Sequence, residues 1–151
     1  MPGNLLLKEA SIITLEVSGA AVTTGSLFLA TTTLDNRSGG NAAQTIWCNF
    51  QLSAGMSIAA STGTAVAELY LVPALDGTNY ADINQACNFV QGNLFRGTFY
   101  AVLSQNSAQV LVLEGIPVQP LLYKVYMINK NTGTLSANWG LKVVPAFAQY
   151  T

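Results

Sequence analysis

Asp76, Asn79 and Asp82 place side-chain oxygens three residues apart, and such oxygens can ligate Ca2+. Calcium takes about six to eight oxygens, and this interval is not that of an EF-hand loop. The same stretch reads more strongly as a tight turn, with Asp76 capping the backbone and Gly77 supplying a positive φ. The other acids are Glu9, Glu16, Asp35, Glu68 and Glu114, and the chain has no histidine. General acid–base catalysis needs a tunable histidine or a pair of carboxylates in a cleft. Glu16 and Glu68 alternate with apolar residues, so both are expected to face outward. A serine nucleophile would depend on a lysine base, and no Ser-x-x-Lys element occurs. Ser38-Gly39-Gly40-Asn41 lacks the lysine and the helix of a phosphate-binding loop. The chain is read as a non-enzyme, with no catalytic residue, cofactor or resident metal assigned.

Charge is scarce. Six Lys+Arg and seven Asp+Glu leave a formal net charge of -1 over 151 residues, and charged residues make up 9%, against about 25% in ordinary globular chains. Half the residues are apolar, which excludes a disordered chain. The lack of a basic excess excludes the usual nucleic-acid binder. A free soluble domain usually carries a net charge of about 2 to 8 to keep its copies apart. A surface of Ser, Thr, Asn, Gln, Gly and Ala suits burial against neighbours in an assembly; a monomer with a neutral polar coat is the alternative. Cys48 and Cys87 are too few for a disulfide scaffold and read as free, mostly buried thiols. No membrane span is expected, because Lys8, Glu9, Glu16, Glu68, Glu114 and Lys124 interrupt the apolar stretches. The opening residues lack the basic and long apolar parts of a signal peptide, so synthesis in a cytoplasm is expected.

The elements that position these residues are strands. Alternation of period two runs through residues 13–18, 46–52, 67–71, 95–103, 123–128 and 139–144, with β-rich runs at 27–33 and 110–114. Turn residues separate them, as at Ser18-Gly19, Asn36 to Asn41, Asp76-Gly77 and Asn131-Thr132-Gly133. Pro73 is expected to end its strand. One helical turn fits residues 80–90. About eight short strands imply a single all-β antiparallel sandwich, with a jelly roll first and an immunoglobulin-like order second. No linker divides the chain. Residues 1–10 stand apart as an N-terminal arm, Leu5-Leu6-Leu7 being its apolar part, and residues 11–151 form the sandwich; an extra edge strand is the other reading of the arm.

Trp47, Tyr70, Tyr100 and Tyr126 fall on the face opposite the inferred core. Aromatic residues are enriched at the centres of protein interfaces, so subunit contact is favoured. A second layer within the same sandwich, or stacking on sugar rings, would also use them.

The run Ala67-Glu68-Leu69-Tyr70-Leu71-Val72-Pro73, followed by Asp76-Gly77-Thr78-Asn79-Tyr80-Ala81-Asp82, resembles a strand-plus-loop of small virion proteins of tailed bacteriophages. Among these the chain looks most like the capsid decoration, or cement, proteins. That resemblance implies a β-sandwich on the outer surface of the virion capsid, often a homotrimer at three-fold positions. It also implies a terminal arm against the major capsid protein, with no nucleic acid or membrane as partner. Leu5, Leu6 and Leu7 are then the arm's anchor, and Trp47, Tyr70, Tyr100 and Tyr126 the candidate trimer or capsid contacts. Two alternatives stand beside it: another virion part, such as a tail-tube, neck or head-fibre subunit, and a carbohydrate-binding jelly roll using Asp76, Asn79 and Tyr80.

Overall fold

Burial alternates residue by residue along Trp47–Ala54, with Cys48, Phe50, Leu52 and Ala54 buried and the residues between them half-exposed. One face of that strand therefore meets a core and the other does not. A computed structural model describes residues 5–42, 45–54, 63–83, 90–102 and 108–150. Among these residues ten strands occur: β1 Leu5–Glu9, β2 Ile13–Gly19, β3 Leu27–Leu29, β4 Leu34–Asp35, β5 Trp47–Ala54, β6 Ala65–Ala74, β7 Phe95–Tyr100, β8 Gln109–Pro117, β9 Leu122–Asn129 and β10 Trp139–Tyr150. A 3-10 turn at Gly92–Leu94 leads into β7. Most of the helical turn expected over 80–90 falls outside the described residues, as does Cys87.

Two antiparallel sheets pack face to face. In the first the order is β2-β10-β5-β8, with β1 continuing the β2 row along β10; in the second it is β3-β9-β6-β7, with β4 continuing the β3 row along β9. The ten strands thus make eight rows. Four pairs are nested in sequence: β6 with β7, β5 with β8, β3 and β4 with β9, and β2 with β10. This is the order of a jelly roll, a long hairpin wound over itself, and not the immunoglobulin-like alternative. Residues 5–9 pair with residues 146–150, so the N-terminal segment is an edge strand of the first sheet.

Leu15, Phe50, Leu52, Leu69, Phe99, Met127 and Leu141 fill the space between the sheets. At one lateral side β7 and β8 meet, and Leu113 lies over Gly97, where a Cβ would sit 3.2 Å from Leu113 Cδ1. At the other, the Trp139 indole lies against Gly19, where a Cβ would overlap it. Trp139 Nε1 donates to the Ala20 carbonyl at 2.8 Å, and Phe28 meets the indole edge-on at 4.7 Å.

Two expectations are corrected here. Pro73 does not end its strand: β6 runs to Ala74, and Pro73 pairs with Tyr123 of β9. Proline is tolerated because the β7 pairing stops at Tyr70 and the side of the strand away from β9 asks only for the Pro73 carbonyl, which accepts from Ala81 N at 3.3 Å. Glu16 does not face outward. Register shifts in the pairing of β2 with β10 put extra residues into β2. A bulge of this kind re-aims the side chains after it, and Leu15 and Glu16 are consecutive and both buried.

Candidate functional site: the outer faces of the two sheets

The outer face of the second sheet is covered by the chain itself. Tyr70 and Tyr126 stand side by side in register on β6 and β9, with Val72 beside them. Val90 and Leu94 pack onto this group, flanked by Tyr80, Ala81 and Ile83. Tyr70 is 8% exposed and Tyr126 4%. Both rings do lie opposite the main core, but a cover drawn from residues 80–83 and 90–94 of the same chain buries them. That corrects the expectation of partner contact at these two residues.

The cover is held by polar groups. Tyr70 donates its hydroxyl to Glu68 Oε2 at 2.8 Å, and Phe95 meets the Tyr70 ring edge-on at 5.7 Å. Burial first, and then the hydrogen bond and charge of Glu68, push the Tyr70 phenol up to about 12. Lys124 Nζ lies 4.3 Å from the centre of the Tyr80 ring. The Asp76 carboxylate accepts the backbone amides of Thr78 at 2.8 Å and Asn79 at 2.6 Å, and the Asn79 side-chain amide at 2.6 Å. Donated hydrogen bonds from Asn79 and then Thr78 hold its carboxyl below the usual carboxylate range. Asp76 and Asn79 therefore bond to each other within a turn, and among the described residues Asp82 takes no part in that network. A second clamp reaches the same turn: Arg37 grips Asp35 through Nε and Nη2, both at 2.8 Å, and Nη1 donates to the Gly77 carbonyl at 3.2 Å. The Arg37 hydrogen bond holds the Asp35 carboxyl below its ordinary value.

The outer face of the first sheet is different. The described residues form two buried clusters, one between the sheets and one outside the second sheet; neither lies on this face. One row across it reads Thr14, Lys142, Gln51, Val112, and the next reads Gly140, Ser53, Val110. Val144 pairs with Asn49, and Trp47 sits between Ala146 and Pro117. Val110 is 55% exposed and Val112 51%. An antiparallel sheet with one wet face normally alternates apolar in, polar out; here valines occupy outward positions at the β8 edge. Among the described residues the charges on this face are Lys142, Glu114 and Glu9, the last paired with Ala146 in the row of Trp47.

Of the contact candidates, Trp47 is half-buried on this open face. Tyr100, 57% exposed, stands on the β7 edge of the other sheet opposite Ala65; the structure does not bring it to Trp47. The backbone of Leu5, Leu6 and Leu7 is paired with Tyr150, Gln149 and Ala148, and their side chains lie outside the described part. β5 pairs with β10 only as far as Trp47 and Ala146. Beyond that point, among the described residues, β1 and β10 continue as a two-stranded ribbon. Val110 and Val112 were missed as candidates. Their signal is in the sequence: Val110-Leu111-Val112-Leu113 is apolar in both phases of the alternation.

Cys48 is buried in the core, and burial pushes its thiol up to about 12, far from the low values of reactive cysteines. No protein-family model, curated protein or solved structure matches the chain.

Proposed function

We infer that the chain is a structural subunit of a larger assembly, and that its first sheet is the face it buries there. The supporting observation is the row of exposed valines, with Trp47 and few charges, on a sheet face that ordinary patterning would make polar. Depletion of charge with an aromatic residue nearby is the composition of an interface centre.

Within that class the reading is a capsid decoration protein of a tailed bacteriophage, bound to the outside of the shell by the major capsid protein and by its own copies. The resemblance of residues 67–82 to such proteins suggests it, and the jelly roll is compatible with it, although one fold serves many functions. The ribbon of Leu5–Leu7 with Ala148–Tyr150 supports a docking arm, since two strands alone are only marginally stable in water. Repetition over a lattice multiplies individually weak contacts.

The test is co-sedimentation with purified phage heads stripped of this protein, alongside light scattering of the free protein. Wild type is expected to pellet with the heads, and a Val110→Glu, Val112→Glu double variant to stay in the supernatant while remaining folded. Equal pelleting of both would refute the open face as the docking surface. Failure of wild type to pellet would refute the decoration reading.

A further inference from the structure

The lateral side at β2 and β3 opens into a groove of about 480 Å³, within the roughly 300 to 1,000 Å³ range of small-molecule sites. We propose that this groove binds a neutral sugar, with Glu16 as its central acceptor and Phe28 as the wall against the sugar's C–H face.

Glu16 is the unusual group. It is 9% exposed, lines the groove and makes no ion pair among the described residues. It is held by backbone: Oε1 accepts from Val17 N at 3.1 Å and Ser18 N at 3.4 Å, and Oε2 from Thr31 N at 3.1 Å. A carboxylate has about four acceptor positions, so three amides leave one for a ligand. The hydroxyls nearby also have capacity to spare. Thr31 Oγ1 donates to the Leu15 carbonyl and Ser18 Oγ to Asn138 Oδ1, which leaves each oxygen free to accept. Thr23 and Ser26 share one hydrogen bond of 2.6 Å, which leaves one donor and several lone pairs between them.

Among the described residues the lining is therefore rich in acceptors, with one spare hydroxyl donor, and contains no Lys or Arg. A phosphate or carboxylate ligand would meet Glu16 with nothing to offset the repulsion. A calcium ion would find one carboxylate where it needs several oxygens. A guanidinium would want a bidentate partner, and Glu16 has a single position left. Several hydroxyl donors on a compact ring with an apolar face match what remains. Phe28 is half-buried and faces the groove, and Trp139 backs it edge-on.

The experiment is a two-dimensional NMR titration of the full chain with glucose, galactose, mannose, rhamnose and N-acetylglucosamine, with ethanolamine as a cationic control. The expected result is saturable shifts at the Trp139 indole N–H and the Ser18 and Thr31 amides with at least one sugar and none with ethanolamine. Ala21→Phe, at an exposed position on the groove, should weaken that sugar at least tenfold without changing the melting temperature. Glu16→Gln should also weaken it; should that variant misfold, Ala21→Phe decides. Absence of saturable shifts with every sugar, shifts that survive Ala21→Phe, or shifts with ethanolamine instead would each overturn the proposal.

Discussion

Tyr70 and Val112 occupy equivalent places. Each points outward from a strand of its sheet, yet one is 8% exposed and the other 51%. The difference lies in what happens elsewhere in the chain. Residues 80–83 and 90–94 fold back over β6 and β9, so the second sheet buries apolar residues on both faces. No described cluster covers the first sheet. An outward apolar residue thus has two possible destinations, the chain's own cover or a partner; the second sheet shows the first, and the proposed docking face would supply the other.

The strongest way to break the comparison is on the covered face. Tyr126→Ala should cost about 3 to 5 kcal/mol of folding stability, the range for deleting a large buried ring, read as a fall in the denaturant midpoint. On the open face, Val110→Lys with Val112→Lys should change stability by less than about 1 kcal/mol, the span of strand preferences. The same pair should weaken particle binding at least tenfold, or about 1.4 kcal/mol. A large loss of stability there would mean that the face is part of the fold.

Acid should loosen the cover alone. The Asp76 and Asp35 carboxyls are held below 3.8 by the hydrogen bonds they accept. Their contribution is present above that value and lost as pH falls through the lower folded values. Amide resonances of Thr78 and Asn79 should move below pH 3.8 while those of Gln51 and Val112 stay in place. The smallest effect is a reporter. Tyr70 should keep its proton up to about pH 12, and Leu94→Ala, by wetting the cover, should lower that value; an unchanged ultraviolet titration would show that Leu94 does not shield it.

Much of the fold was legible. The alternation at Cys48, Phe50 and Leu52, and again at Leu141 and Val143, assigns the inner face correctly because a half-buried strand writes its period directly into sequence. Two kinds of fact were not. The bulges in β2 are events of pairing, invisible in one strand, and they turn Glu16 inward against its apparent phase. The cover over Tyr70 depends on residues 80–83 and 90–94 returning to the same sheet, and no local pattern records that return. For the candidate site, phase placed Trp47 on an outer face, but Val110 and Val112 needed the strand order to show that their run lies at an edge with nothing described above it.

The place of β10 has a consequence for synthesis on the ribosome. Residues 139–150 lie between β2 and β5 in the middle of the first sheet, although they follow every other strand in the chain. Until they emerge, β2 has no partner and β5 lacks one of its two. The nascent chain must therefore hold half a sandwich with apolar strands unpaired, at risk of pairing with other chains. Closure waits on one late insertion, and that places this molecule with the slow folders dominated by distant contacts.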